Sequence, residues 1–180
     1  GLPGDRESRS GWQAAIEAGA FKAEIVPVEV PGKKGPTVVD TDESPRKDTT
    51  LEALAKLKPV FQKDGSVTPG NAPGLNDGAS ALVVTSLAFA KAHGLTPLAR
   101  VTAYATGGGE PKELFFAPIL AVQNLMKKAG TTIKDYGLIE ANEAFAAQAI
   151  SVNKDLGFDT AKVNVNGGAI AIGHPVGASG

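Results

Sequence analysis

From residue 98 onward, short apolar runs alternate with amphipathic stretches that stop on glycine, and this alternation constrains the fold more than any other feature of the sequence. Residues 98–105 read as a strand that ends at Gly107-Gly108-Gly109. Pro118 then sits where a first-turn proline belongs, Ile119, Val122 and Met126 line one helix face, and Gly130 ends the helix. Residues 137–141 read as the next strand. Residues 142–156 read as a helix with Phe145, Ala149 and Val152 on one face and Gly157 as its stop. A last strand-like stretch, 163–172, is broken by Gly167-Gly168. Strand, helix, strand, helix, strand predicts parallel pairing with helices packed on the sheet, which is the α/β class. Ligands in such folds gather at the carboxyl ends of strands, and both Asn142 and His174 fall at junctions of that kind.

The first half is less regular. Residues 12–20 predict a short helix, and 23–30 an edge strand, since Pro27 cannot donate to a ladder. Residues 31–48 are rich in Pro, Gly and charge and read as an irregular loop. Thr49 and Glu52 stand at capping-box spacing before Leu51, Leu54, Ala55 and Leu57, and Pro59 stops that helix. The unbroken small and apolar run 79–85 predicts a strand covered on both faces. A helix over 86–93 follows, with Gly94 as its stop, and Pro97 marks a boundary.

Bulk composition narrows the function classes. With 180 residues, 42% of them hydrophobic, the chain can form one domain or parts of two. Eighteen basic against 19 acidic residues, a net charge of -1, supply no basic face to neutralise phosphates, so no nucleic-acid partner is expected. With no cysteine and two histidines, His93 and His174, no disulfide framework or metal cluster is expected. No apolar run approaches the roughly 20 residues that span a bilayer, and no secretory pattern opens the chain. The expectation is a cytoplasmic protein that does not enter membranes. A first residue that is Gly, and a closing Gly177-Ala178-Ser179-Gly180 of the kind that opens a helix, suggest a chain cut at both ends.

Two motifs carry candidate chemistry. In Gly173-His174-Pro175 a titratable imidazole is fixed beside a proline, and histidine suits proton transfer near neutrality. Taken alone, the tripeptide is more readily a structural turn. Asn142-Glu143 is expected to open a helix directly after a buried strand, where an asparagine cap is sufficient explanation. A functional role gains weight because amide donors at a helix start can stabilise an oxyanion. Gly107-Gly108-Gly109 lacks the third glycine and helix of a dinucleotide fingerprint, and Gly32-Lys33-Lys34-Gly35 lacks phosphate-loop spacing.

Three strings together are more specific than either motif. Gly70-Asn71-Ala72-Pro73-Gly74-Leu75-Asn76-Asp77-Gly78-Ala79, Glu140-Ala141-Asn142-Glu143-Ala144-Phe145-Ala146-Ala147-Gln148 and residues 164–180 resemble thiolases, in the family's order and spacing. The resemblance covers residues 14–180, and residues 1–13 read as distorted or foreign. It implies a partial thiolase-like layered αβαβα fold. Residues 1–75 would be the end of the loop domain, 76–96 the last strand and helix of the N-terminal half, and 97–180 the first part of the C-terminal half. The family's nucleophilic cysteine and its Cys-x-Gly motif would lie outside these residues.

The resemblance further implies an acetyl-CoA C-acyltransferase that runs Claisen condensation or thiolysis through an acylated cysteine. His174 would take the cysteine's proton and, with a water held by Asn142, line an oxyanion hole. Coenzyme A enters as the thioester substrate, with no permanently bound cofactor; acetyl-CoA and acyl-CoA or 3-ketoacyl-CoA are the expected partners. Arg46 and Phe61 match positions near the adenine nucleotide and pantetheine, and Ala144 with Phe145 the wall beside the thioester. Arg46 read by itself is equally a solvated charge and Phe145 equally a core residue. Two positions depart from the pattern. Pro73 stands where many thiolases have serine, and Phe115-Phe116-Ala117-Pro118 where a Gly-Pro turn is common, a change expected to reshape the acyl pocket. A homodimer or homotetramer is implied by similarity. A β-ketoacyl synthase, or the sterol-carrier type of thiolase, would carry histidine in place of Asn142. A non-catalytic acyl-CoA-binding or assembly module stays open because the chain has no nucleophilic thiol.

Overall fold

The computed structural model describes residues 3–46 and 48–179. Two helix pairs form its buried nuclei, one of them built on the first helix, α1, Pro3–Glu17. Trp12 and Ala15 are buried on its inner face, as are Ala169, Ile170 and Ala171 of the last helix. After α1 the chain passes through an exposed hairpin, β1 (Val28–Val30) and β2 (Thr37–Val39), paired antiparallel with Glu29 opposite Val38. The expected edge strand thus narrows to three residues, and the expected loop contains its partner.

The next helix, α2 (Leu51–Ala55), is capped one residue later than the sequence spacing predicts. Thr50 is the cap, its hydroxyl accepting from the Ala53 amide at 3.1 Å, because Thr49 is turned to donate to the Arg46 carbonyl. The Thr50 hydroxyl also helps, after the backbone amide of Glu52 itself, to hold the Glu52 carboxyl below its usual range. In α3 (Leu87–Ala92), Ser86, expected as the first helical residue, is instead the cap, its hydroxyl accepting from the Phe89 amide, and Gly94 takes a left-handed φ of 63° beyond the end.

The second nucleus joins α4 (Ala117–Ala129) to α5 (Ala146–Leu156). Ile119, Val152 and Leu156 are buried there, with Val122, Met126 and Phe158 packed against them. Left-handed Gly130 and Gly157 end the two helices, since only a residue without Cβ enters that conformation at no steric cost. A last short helix, α6 (Ala169–Ile172), occupies the part of 163–172 that was expected to be strand-like.

The strand expectations over 79–85 and 98–105 are not met: both segments lie outside any ladder among the described residues. Leu82, Val83 and Val84 are 82%, 88% and 83% exposed, and Leu98 and Val101 are equally uncovered. A strand exists only against a neighbour, and among the described residues the first of these makes no backbone–backbone hydrogen bond. The second lies along α4, where Asn124 and Lys128 donate to the Thr106 and Tyr104 carbonyls in place of a neighbouring strand. Of the predicted parallel pairing one bridge survives, Ile139 to Val163.

The chain's single tryptophan makes α1 docking measurable. Gly167 has φ +87°, and a Cβ there would come within 2.7 Å of the Trp12 Cβ and 2.8 Å of the Ser8 carbonyl. Gly167→Ala is expected to cost at least about 1–3 kcal/mol and to lever α1 away. The readout is a red-shifted Trp12 emission with increased acrylamide quenching.

Candidate active site

Three separate stretches of sequence meet around His174. The first runs through Asn76 and Gly78. Gly173 has φ +100°, and a Cβ there would fall on the Asn76 carboxamide, while one on Gly78 would come within 2.7 Å of the Pro175 ring. The glycines of this junction therefore permit a close approach that no larger residue allows. Nearby, Ser80 donates to the Ala178 carbonyl at 3.2 Å.

The second stretch, 139–145, is tied to the third, 162–174, by the bridge at Ile139. The Ile139 amide donates to Lys162 and its carbonyl accepts from the Asn164 amide, both at 2.9 Å. Asn164 has φ 46°, a left-handed conformation that asparagine tolerates better than most residues. Its side chain turns back on Ala141, accepting from the Ala141 amide and donating to the Ala141 carbonyl, each at 2.8 Å. One carboxamide thus stands in for the next residue of a neighbouring strand.

Asn142 follows directly. Its Nδ2 lies 3.4 Å from His174 Nε2, the long limit of a hydrogen bond. An amide nitrogen can only donate, so Nε2 accepts in this pairing and the ring proton belongs on Nδ1. That Nδ1 is buried and has no protein partner among the described residues. Asn142 itself is exposed, and His174 half-buried.

Asn142 is not a helix cap. α5 begins four residues later at Ala146, whose amide donates to the Asn71 carbonyl at 3.0 Å, and Phe145 at its cap position is extended. The helix start expected beside Asn142 is therefore displaced, and its first amide is already satisfied by the 70–79 string. Glu143 explains the displacement. It is 6% exposed, and its carboxyl oxygens accept from Asn164 Nδ2 at 3.2 Å and from the Ile170 amide at 3.0 Å. A residue turned inward in this way holds 142–145 off the helical path.

Ala144 and Phe145 are half-buried beside Asn142. The Phe145 ring meets Phe115 edge to face, centroids 5.2 Å apart, so one of the departures from the family pattern lies against the expected wall. Leu114, Phe115, Asn142, Ala144 and Gln148 share a cavity of about 310 Å³. Arg46 and Phe61 are exposed, and no hydrogen bond, ring contact or shared cavity joins either to Asn142 or His174 among the described residues. Sequence reasoning missed Glu143, Asn164 and Asn76 as site-building residues. The sequence signal was ambiguous: Asn166 directly precedes Gly167-Gly168, yet the left-handed asparagine is Asn164, two residues earlier.

His174 and the Asn142 carboxamide thus converge at the junction of the three stretches. Residues 7–88 match the family description "Thiolase, N-terminal domain", and residues 95–180 match "Thiolase, C-terminal domain". The acetyl-CoA acetyltransferase of Pseudomonas aeruginosa is 58% identical over 168 residues, which are 93% of this chain and 43% of that protein. A crystal structure of human mitochondrial 3-ketoacyl-CoA thiolase superposes with a TM-score of 0.89 at 48% identity, covering 97% of this chain and 44% of that one. The same human protein in complex with CoA gives 0.88 at 48% identity, covering 98% and 44%. The chain belongs to the thiolase family. It spans less than half the length of the relatives it matches. The family match begins at residue 7, so residues 7–13, expected to be distorted or foreign with the rest of 1–13, fall within the family region. Buried Ser8 and Trp12 show why they belong, since the Ser8 hydroxyl accepts from the Gly168 amide at 2.9 Å.

Gly173→Ala is expected to cost about 1–3 kcal/mol or more from backbone strain alone. Gly177→Ala, in open space, should stay within about 0.5 kcal/mol. Paired urea titrations of the two variants check the difference.

Proposed function

We propose that this chain is the middle-to-late part of an acetyl-CoA C-acyltransferase that condenses acyl-CoA or cleaves 3-ketoacyl-CoA through a cysteine acyl-enzyme. The observation that carries the reading is the 3.4 Å approach of Asn142 Nδ2 to His174 Nε2 across loops 32 residues apart. Within the proposal, 1–75 are the end of the loop domain, 76–96 complete the N-terminal half, and 97–180 open the C-terminal half. The chain has no cysteine, so the nucleophile comes from elsewhere in the complete enzyme and the segment alone is inactive.

The chemistry follows from which atoms hold protons. The Nε2 lone pair takes the proton of the incoming thiol, raising the fraction of thiolate, the form that attacks. The thiolate adds to the thioester carbonyl, and the coenzyme A sulfur leaves with the bonding pair and recovers a proton. During carbon–carbon bond formation a second cysteine from elsewhere in the complete enzyme takes the α-proton, which leaves the enolate. Once Nε2 has returned the thiol's proton to coenzyme A, the ring proton moves from Nδ1 to Nε2, and Nε2–H with a water held by Asn142 faces the enolate oxygen. Donors placed in advance where charge develops contribute about 3–4 kcal/mol each. Coenzyme A is substrate rather than resident cofactor in this reading, with Arg46 and Phe61 toward its nucleotide and pantetheine and Ala144 and Phe145 beside the thioester. The human thiolase in complex with CoA supports coenzyme A as a ligand. No helix among the described residues is long and apolar enough to cross a membrane. A cytoplasmic location and a homodimeric or homotetrameric assembly complete the proposal, both on family resemblance.

A second reading, a non-catalytic acyl-CoA-binding module, is favoured by the lack of any thiol in the 180 residues. The test uses a full-length enzyme carrying this segment, from its own reading frame or with residues 7–180 grafted into the Pseudomonas aeruginosa relative. His174→Ala is expected to slow acylation about 10²–10⁴-fold while coenzyme A binding is retained. An acylation trace unchanged by the substitution refutes the role of His174. Acyl-CoA binding by the wild type with no acyl-enzyme formed would favour the binding module.

A further inference from the structure

We infer that Glu143 is a positioning residue whose carboxyl group clamps the segment bearing Asn142 to the turn bearing His174, and so sets the separation of the two site groups. The inference rests on the functional reading above for what that separation does.

Glu143 adjoins Asn142 in sequence but faces the opposite way: Asn142 is exposed and Glu143 is buried. Its two oxygens reach two different elements. Oε1 accepts from Asn164, whose amide orientation is already fixed by its paired bonds to Ala141, and Oε2 accepts from the Ile170 amide in α6. Amides in a first helical turn have no intrahelical acceptor, so this contact supplies one that the helix itself cannot. Gly168 leaves the space for it, because a Cβ there would come within 2.5 Å of the carboxyl group. Since α6 ends at Ile172, only Gly173 separates it from His174. A displacement of Ile170 is therefore passed to the imidazole across a single glycine, and a displacement of Glu143 reaches Asn142 directly.

Both partners are N–H donors, so the site requires two acceptors. Glutamine has the same shape but only one acceptor, and its amide nitrogen would face a donor in a buried place. The isosteric substitution thus breaks the clamp with little change in volume, whereas a space-filling role would tolerate it.

The experiment is a double-mutant cycle in the full-length enzyme carrying this segment, with Glu143→Gln, Asn142→Ala and the pair. Active sites are counted by burst amplitude, and kcat for carbon–carbon bond formation is expressed per active site. Glu143→Gln is expected to lower that kcat about 10–100-fold, the scale of a misplacement of about 1 Å. It should leave KM for acyl-CoA within about twofold, and lower kcat by a smaller factor in the Asn142→Ala background than in the wild type, since the two changes share part of the same alignment. A Glu143→Gln variant that loses burst amplitude or melting temperature but keeps its kcat per active site overturns the inference, as do effects that multiply in full. If Glu143→Gln yields no folded enzyme, Glu143→Asp enters the same cycle under the same criteria. Failure of both to fold assigns Glu143 to folding alone and also overturns the inference. Full activity in His174→Ala sinks the functional reading whatever Glu143 does; loss of activity there, with a normal kcat in Glu143→Gln, sinks only the clamp.

Discussion

The carboxamide of Asn164 holds the site together more than any other single group. By pairing with both the amide and the carbonyl of Ala141, it prolongs a parallel register that would otherwise consist of one bridge. Asn142 and His174 both lie close to that junction. Asn142 is the next residue along one strand end, and the other leads through Gly167 and Gly168 into α6 and on to His174. The same amide also reaches Glu143, so a left-handed asparagine ties its own segment to two successive points of the 139–145 stretch. Buried polar groups joined in this way fix a geometry firmly, because each partner would be costly to leave unpaired.

Around that junction the glycines define how close the segments come. Gly78, Gly167, Gly168 and Gly173 each lie where another group occupies the space a side chain would need. The meeting of the 70–79, 140–148 and 164–180 strings is thus a matter of backbone packed on side chains, with little room for variation. That closeness is what allows two functional groups 32 residues apart to be held by short loops without a continuous sheet beneath them.

Much of this could be read from the residues alone. Helix periodicity with glycine stops located α3, α4 and α5 because those signals are local: Gly94, Gly130 and Gly157 sit in left-handed conformations immediately beyond their helices. The strands were less legible. Apolar character in 79–85 and 98–105 reports what a segment would bury, while a ladder depends on a neighbour that the segment's own sequence does not encode. The cap assigned to Asn142 failed for a similar reason. Local preference favours asparagine at a helix start, yet the contacts of Glu143 with Asn164 and Ile170 are tertiary and hold these residues off the helix. His174 and Asn142 were found through the family strings, and their 3.4 Å approach was beyond any local signal. Glu143, the most buried acid of the site, was hidden because its sequence neighbours explain it equally well as a surface residue of a helix.

The uncovered run from Leu82 to Val84 bears on how the segment behaves in a cell or a test tube. Three consecutive aliphatic side chains more than four-fifths exposed, on an extended backbone whose ladder groups are unused, form an adhesive edge. Such an edge recruits any strand within reach, including the same run on another molecule. Handled in isolation, the segment would be prone to stack into insoluble assemblies.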